Sequence, residues 1–339
     1  MPGETVSAMT GVIPRLQMSK NRGAGWSAFW RRRLTGLVLS IGLLVLLTFL
    51  IVPLIPGDPA IAILGTNARP ASVNALREQL HLSDPLWSQF VSYINGLLHL
   101  DIGESFRYKT PVIDIITTKL PYTAQLAFGS IALVLVVAVP LGMGIGVLTR
   151  GGRRNALGTG FSVIAGFLAS FPAYVVGTLL VIVFAIWLKV LPAGGANVAT
   201  SSVLPIAALA LGPIFAVARV VRAETYTVLK QDFMRTARGH RLRAARLYLV
   251  HAFPNLLAST LTLAGLILAG LLGGAIVIET VFSYPGLGSE VVQAIIYKDY
   301  PVIQGIILVI GSIAILINLL IDVILGIIDP RTLGGSDGA

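Results

Sequence analysis

Long apolar runs separated by short polar segments dominate this sequence. Six of the runs reach the length of about 20 residues that an α-helix needs to cross a bilayer. They lie at residues 34–54, 122–148, 157–187, 202–221, 255–278 and 301–328. The pattern therefore predicts an all-α polytopic membrane protein with six transmembrane helices.

Prolines and glycines divide this pattern further. The first run stops at residues 53–59, where three prolines and a glycine prevent the helix from continuing. The third run is long enough to tilt or to break near Pro172. In the second run, the spacing of Gly142 and Gly146 permits the close approach of a neighbouring helix. The same spacing recurs at Gly270 and Gly274 in the fifth run.

Basic residues orient the chain in the membrane. Arg31, Arg32 and Arg33 precede the first run, and residues 150–154 after the second run hold three more arginines. Because cytoplasmic loops retain Lys and Arg, we expect both tails, residues 1–33 and 329–339, in the cytoplasm. The net charge of +10 then reflects membrane topology. It does not indicate a nucleic-acid-binding face.

This orientation places two polar stretches outside the membrane. Residues 55–121, which we call the external segment, carry more acids than bases. A helix is predicted at 71–81, and a second at 84–98, where Ser83, Asp84 and Pro85 form a good helix start. The second stretch is residues 279–300. Its first part, residues 279–288, is rich in turn formers, and we call it the turn-rich strip.

Composition narrows the chemistry that the chain can perform. It is 55% hydrophobic and 12% charged, whereas soluble proteins carry about twice that charge. It has no cysteine, which excludes disulfides, thiol catalysis and thiolate metal sites. A phosphate-binding loop, an H-E-x-x-H helix and a G-x-S-x-G turn are all absent from the sequence. We therefore predict no metal site and no catalytic residue.

Two alternatives of other classes remain open. A membrane-embedded serine hydrolase would need a pair such as Ser170 and His251, but Ser170 lacks flanking glycines and His251 ends a basic loop. A secondary carrier working alone normally needs charges deep within its helices, and these are nearly absent. The sequence instead favours a passive pathway that is driven by something else.

The largest cytoplasmic loop, residues 222–254, is the most distinctive polar part of the chain. We call residues 232–255 the basic block, because five arginines fall within residues 235–246. The block is either a topological anchor or a docking element. Gly239 permits a break between a helix that continues the fourth run and a second short helix. On that second helix Leu242, Ala245 and Leu249 would share an apolar face, opposite Arg243 and Arg246.

Two acidic residues near the membrane each allow two interpretations. Glu279 is either a solvated carboxylate at a helix end or a residue that holds the turn-rich strip. Asp322, which follows Asn318 in the last run, is either a pathway or subunit-contact residue or the structural partner of a cytoplasmic-side arginine such as Arg219 or Arg222. For Asp322 we favour the structural pair.

The basic block is similar to the coupling loop of permease subunits from binding-protein-dependent ABC importers, because Arg235-Thr-Ala-Arg238 is followed by His251, Ala252 and Asn255. The chain most resembles the B-type subunits of the dipeptide, oligopeptide and nickel branch. That family usually carries a glycine where this chain has Arg241, and Gly239 stands two positions earlier. Other matching motifs lie at residues 54–59, 76–80, 84–87, 101–106, 120–121, 279–288, 299–301 and 329–331.

The resemblance implies a type I importer permease fold in a bacterial plasma membrane, with both termini inside. It implies one half of a heterodimeric pathway for short peptides, with nickel or haem as alternative substrates. The implied partners are a second permease, two ATPases that bind ATP and Mg²⁺ in place of this chain, an extracytoplasmic binding protein and the lipid bilayer. The resemblance also implies which residues contact the ATPases and the binding protein.

The residues that would meet the ATPases are Asp232, Arg235, Thr236, Ala237, Arg238, Gly239, Arg241, Leu242, Arg243, Ala245, Arg246, Leu249 and His251. Those at the outer mouth, near the binding protein, are Glu279, Phe282, Ser283, Tyr284, Pro285, Gly286, Leu287 and Gly288.

Overall fold

The computed structural model describes residues 22–65, 67–152, 154–240 and 242–328. These residues are helical apart from turns and one isolated bridge between Glu104 and Pro111. The expectations for the two ends of the chain, for Arg153 and for Arg241 concern residues outside these ranges. The helices are α1 (Arg22–Ile51), α2 (Pro59–Leu64), α3 (Pro70–Gln79), α4 (Leu86–Leu98), α5 (Val112–Leu148), α6 (Asn155–Ala169), α7 (Ala173–Leu180), α8 (Val203–Lys230), α9 (Asp232–Gly239), α10 (Ala244–Arg246), α11 (Phe253–Val281), α12 (Leu287–Tyr297) and α13 (Tyr300–Ile328).

Five helical stretches in the described ranges are long and apolar enough to cross a membrane, within α1, α5, α8, α11 and α13. One further pair of shorter helices is long and apolar enough only when the two are taken together. Helix α6 and helix α7, which a π-helical turn extends to Trp187, meet at an angle of 87°. The break falls at residues 170–172, as the proline predicted, because Pro172 cannot donate the backbone hydrogen bond that a continuous helix requires.

Helices α5 and α8 form the centre of the fold. A Cβ at Gly142 would lie 2.5 Å from the carbonyl oxygen of Ala218, and one at Gly146 would lie 2.8 Å from Cβ of Thr225. The predicted close approach is thus confirmed for this glycine pair. Gly270 and Gly274 have no such neighbour within this chain, since no described atom lies within 4 Å of a Cβ built at either.

The remaining helices surround this pair. Helix α11 packs on α5, α8 and α13, whereas α1 packs mainly on α13 at the edge. Helices α3 and α4 confirm the two helices predicted in the external segment. Each begins and ends within two residues of its predicted bounds. Asp58 caps α2 by accepting the N–H of Ala60 at 2.8 Å, and it pairs with Arg77 of α3. The external segment is therefore held together by its own contacts.

Candidate coupling loop and outer strip

The basic block begins with a sharp turn at the end of α8. Gln231 is extended, with ψ of 153°, so the first break lies there and not at Gly239, and α9 follows at once. Arg238 reaches back from α9 and donates from Nη2 to the carbonyl oxygen of Leu229 at 2.7 Å. This hydrogen bond satisfies a carbonyl at the end of α8 that no helical N–H can reach. It also fixes the angle between the two helices.

Burial of Arg238 has an electrostatic cost. Desolvation lowers the pKa of its guanidinium, and the positive charge of Arg150 lowers that pKa further. Its Nε is buried without a hydrogen-bond partner in the described part of the chain. Arg235 on the same helix is different, because its side chain is 73% exposed and, among the described residues, its ion pair is with the exposed Asp232 at 3.2 Å. The two arginines of the motif therefore have different environments.

The apolar face predicted for Leu242, Ala245 and Leu249 does not form. Helix α10 has one turn and continues as a π-helix over Leu247–Ala252, which changes the periodicity on which the prediction relied. Leu247 is buried, whereas Leu249 is 63% exposed. Leu242 precedes the helix and packs partly against the core.

The block instead contains an open, mostly apolar groove of about 710 Å³ between α9 and the π-helical turn. Its lining combines apolar side chains with polar and basic ones. We call it the coupling groove. Its lining includes Phe233, Thr236, Ala237, His240, Leu242, Arg246, Val250, His251 and Asn255.

A second cavity places the other cytoplasmic loop beside the block. Arg150, Gly151 and Arg154 from the loop after α5 share a space of about 530 Å³ with Tyr248 of the π-helical turn. The two most basic loops of the described chain thus meet at one end of the fold. This is the arrangement that the charge pattern predicts for a cytoplasmic surface.

At the opposite end, Glu279 is completely buried, so the solvated-carboxylate interpretation is wrong. Thr123 of α5 donates to Glu279 Oε1 at 2.6 Å, and the N–H of Ser289 donates to Oε2 at 3.0 Å. The hydroxyl of Thr123 also accepts the N–H of Leu287 at 2.8 Å. Gly286 lies so close that a Cβ there would clash with the Glu279 carboxylate. Glu279 therefore holds the turn-rich strip.

Aromatic residues of the strip bind it to two further elements. The carbonyl of Phe282 accepts the N–H of Gly195 at 2.8 Å, and its buried ring faces Gly177 of α7. Tyr284 donates from its hydroxyl to Gln125 Oε1 at 2.7 Å, and its ring meets Tyr122 edge-on at 5.8 Å. Burial, followed by the charges of Tyr122 and Glu279, raises the pKa of Tyr284.

The strip is consequently a buried element in this subunit. Ser283, which has a left-handed φ of 48°, is exposed, and Pro285 is half-buried. The other six residues predicted at the outer mouth are buried: Glu279, Phe282, Tyr284, Gly286, Leu287 and Gly288. Among these eight predicted residues, Ser283 and Pro285 present a surface that a partner could touch without a rearrangement, and the exposed Thr280 and Val281 of the strip lie beside them in the sequence.

Asp299 holds the external segment against the membrane part, a role that its position in a sequence motif did not predict. It is buried and accepts three hydrogen bonds from the external segment, from the Ser105 hydroxyl at 2.5 Å, the Phe106 N–H at 3.0 Å and the Arg107 N–H at 3.1 Å. Arg107 also lies 3.6 Å over the ring of Tyr297. Ser105 and Phe106 belong to one motif that matches the family, and Asp299 belongs to another. This shared match was the available signal that they interact.

Asp322 is ion-paired, but not with the expected partners. Its carboxylate lies 2.6 Å from Arg33 of α1, whereas Arg222 donates to the Ser162 hydroxyl at 2.7 Å. The structural pair with a cytoplasmic-side arginine is confirmed, and the partner is Arg33 instead of the two examples, Arg219 and Arg222. The difference arises because α13 packs on α1, a neighbour that composition cannot reveal.

The alternative enzymatic pair gains no support. The Ser170 hydroxyl donates to the carbonyl of Phe167 in its own helix at 2.7 Å, and His251 lies in the coupling groove. Within the described ranges, no group of three or more His, Asp or Glu side chains is placed to hold a metal ion.

Two family descriptions match consecutive parts of the chain. That of the binding-protein-dependent transport system inner membrane component covers residues 138–334, and that of the N-terminal part of such membrane components covers residues 27–127. The chain belongs to this family. It is a multi-pass inner-membrane permease subunit of an ABC importer, and membership implies ATPase and substrate-binding-protein partners.

Named relatives resemble this permease along most of their length. A putative peptide transport system permease of Brucella abortus is 37% identical over 85% of this chain and 93% of its own. The probable D,D-dipeptide transport system permease DdpB of Escherichia coli is 34% identical over 89% and 97%. The glutathione transport system permease GsiC of Pectobacterium atrosepticum is 37% identical over 89% and 97%.

A solved structure supports the fold of this permease. The inward-facing MetNI methionine ABC transporter contains a chain that matches 64% of this chain and 97% of its own, with a TM-score of 0.54 and 19% identity. At this identity the match bears on the fold alone. It confirms the type I importer permease architecture that the sequence motifs predicted.

Proposed function

We propose that this permease forms one half of a heterodimeric pathway that imports short peptides, with a homologous permease as the other half. Two cytoplasmic ATPases bind ATP and Mg²⁺ and drive the cycle, and an extracytoplasmic binding protein delivers the substrate. The chain itself performs no catalysis. The observation that carries the proposal is the exposed coupling groove, which residues of the family motif line at the cytoplasmic end.

The substrate class rests on the relatives. The three named relatives are a peptide, a D,D-dipeptide and a glutathione permease, and each aligns with this chain over at least nine-tenths of its own length. All three substrates are short peptides. Nickel or haem remain the alternative cargoes, and the binding protein selects among them.

The chemistry of the coupling groove suits a protein partner. Phe233, Leu242 and Val250 provide apolar surface, while Arg246 and His251 add basic groups to the lining. Interfaces commonly combine an apolar centre with a charged rim. The exposed Arg235 adds a charge that an ATPase carboxylate can pair with. Closure of the ATPases would then push on α9, which Arg238 joins to the end of α8.

The second permease would cover faces that this chain leaves open. Gly270 and Gly274 of α11 face no described atom within 4 Å, and Leu266 on the same helix is 67% exposed. Small residues at a membrane helix surface permit close packing of another helix. A homologous subunit on this face would bury Leu266, Gly270 and Gly274 and complete the pathway.

The binding protein would meet the external segment. Trp87, Leu98 and Leu100 are large apolar side chains that are highly exposed there, and Leu100 is 87% exposed. An exposed apolar patch with a polar surround is typical of a protein contact. Ser283, an exposed residue of the strip, would extend this surface.

The solitary carrier is less consistent with these contacts. The two acids of α11 and α13 that the sequence singled out, Glu279 and Asp322, are held by Thr123 and Arg33. Neither acid is thus poised as a free proton or ion site of the kind that coupled carriers use.

The proposal is tested by tagging this chain, extracting it gently from its membrane and identifying what accompanies it. We expect two ATP-binding subunits, a second permease and stimulation of ATP hydrolysis by a binding protein loaded with a di- or oligopeptide. A chain that purifies alone and transports without ATP would overturn it. If the complex is complete but its binding protein holds only nickel or haem, the proposed substrate is wrong and the proposed mechanism stands.

A further inference from the structure

A crevice lies between α1 and α13 near the cytoplasmic end of the membrane part. Its volume is about 230 Å³, below the ~300–1,000 Å³ typical of pockets for small molecules. Its lining combines basic, hydroxyl and amide groups with a single acid. The polar and glycine residues that line it are Arg32, Arg33, Gly36, Ser40, Asn318 and Asp322.

The charges in this crevice leave one cation available. Arg33 is engaged, because it pairs with Asp322 at 2.6 Å and lies 5.6 Å from the centre of the Phe29 ring. This pair neutralises the only acid of the lining. Arg32 forms no ion pair with another described residue. The crevice therefore presents a net positive charge together with the Ser40 hydroxyl and the Asn318 amide.

The surroundings of the crevice are lipid-facing. Val38, Leu39 and Leu43 of α1 and Leu316 and Leu320 of α13 are exposed large apolar residues on its two helices. Ser40 lies eight residues after Arg32 on α1, which corresponds to about 12 Å along the helix axis. The crevice thus extends from the level of the basic cluster toward the hydrocarbon, beside surfaces suited to acyl chains.

We propose that this crevice binds the phosphodiester headgroup of an anionic phospholipid from the cytoplasmic leaflet. Arg32 pairs with the phosphate, and Ser40 and Asn318, which lie deeper along their helices, donate hydrogen bonds to the glycerol and ester oxygens. Basic pockets between membrane helices on the cytoplasmic side are suited to such headgroups. Because α1 packs mainly on α13, the bound lipid bridges the two helices and stabilises the attachment of α1.

Arg31 provides a matched control for Arg32. It is adjacent, exposed and equally charged, but it does not line the crevice. The whole importer, purified with each variant, is placed in nanodiscs of phosphatidylglycerol and phosphatidylcholine. Retained phosphatidylglycerol is then counted by native mass spectrometry during stepwise removal of lipid. Arg32→Gln should weaken retention about fivefold, the ratio expected from about 1 kcal/mol per basic residue, whereas Arg31→Gln should change it little.

A second variant tests the shape of the crevice without changing charge. A Cβ built at Gly36 meets no described atom within 4 Å, so Gly36→Val should fill space in the crevice without a clash and displace the headgroup. Asp322→Asn, which removes the only acid, should not reduce retention. Equal losses in Arg31→Gln and Arg32→Gln would indicate general surface charge and overturn the site. Unchanged retention in both Arg32→Gln and Gly36→Val would do the same, as would displacement of the lipid by inorganic phosphate.

Discussion

Thr123 and Glu279 are joined by a 2.6 Å hydrogen bond although 156 residues separate them in the sequence. The same Thr123 hydroxyl accepts the N–H of Leu287, so one side chain satisfies a group at each end of the turn-rich strip. Glu279 is fully buried. A buried carboxylate that loses its donors is costly, and the position of the strip therefore depends on this hydroxyl.

Replacing Thr123 by valine should destabilise the outer end of the permease. The change keeps the shape of the side chain but removes the hydroxyl, so we expect a loss of about 1–3 kcal/mol in the free energy of unfolding. Thermal unfolding of the purified importer measures it. Thr123→Ser, which retains the hydroxyl, should remain close to the parent. Similar melting of the two variants would contradict the role given to Thr123.

Removing the carboxylate of Asp299 should release the external segment from the membrane part. Asp299→Ala leaves the donors of Ser105, Phe106 and Arg107 without their acceptor. Hydrogen exchange at residues 105–112 should then accelerate roughly tenfold or more, since each lost hydrogen bond costs about 1 kcal/mol or more. Asp114→Ala, an exposed acid in the same segment, is the control. Unaltered exchange in Asp299→Ala would show that other contacts hold the segment.

The two motif arginines of α9 should give different phenotypes. Arg238→Met removes the hydrogen bond to Leu229 and should lower the melting temperature and weaken the coupling of ATP hydrolysis to uptake. Arg235→Met should leave melting unchanged, because Arg235 is exposed and such ion pairs contribute about 0–1 kcal/mol. It should instead reduce retention of the ATPases during purification. The same effect from both variants would mean that burial does not separate their roles.

A charge in the coupling groove should disrupt transmission. Val250 lies in the apolar part of the groove and is more than half exposed. Val250→Asp should therefore permit insertion and folding, yet abolish uptake and the stimulation of ATP hydrolysis by the binding protein. Thr227→Asp places the same charge on an exposed position of α8 before the block and should transport normally. Normal uptake by Val250→Asp would exclude the groove as a docking surface.

The membrane architecture was predictable because lipid imposes strong rules. A helix crossing a bilayer must be apolar over about 20 residues, and the missing N–H of Pro172 favours a break there, although Pro140 and Pro213 lie inside continuous helices. The start of α4 was predicted from Ser83, Asp84 and Pro85 to within two residues. These features depend on neighbouring residues in the sequence, so periodicity and composition are sufficient to find them.

Features that depend on which helices become neighbours were not predictable in the same way. Asp322 pairs with Arg33, because α13 packs on α1 and not beside the end of α8. The burial of Glu279 involves Thr123, which lies three apolar runs earlier in the chain. The π-helical turn after α10 moved Leu249 away from Leu242, since its backbone repeat differs from that of an α-helix.

The external segment is fastened at two adjacent residues of the membrane part. The Tyr300 hydroxyl donates to the carbonyl of Gly57 at 3.1 Å. The carboxylate of the neighbouring Asp299 accepts hydrogen bonds from the backbone N–H groups of Phe106 and Arg107. The chain between these anchors is a closed loop, and doubling the length of such a loop costs only about 0.6 kcal/mol in closure entropy. Evolution can therefore lengthen, shorten or reshape this stretch to suit a new delivery partner while the helices beneath keep their packing.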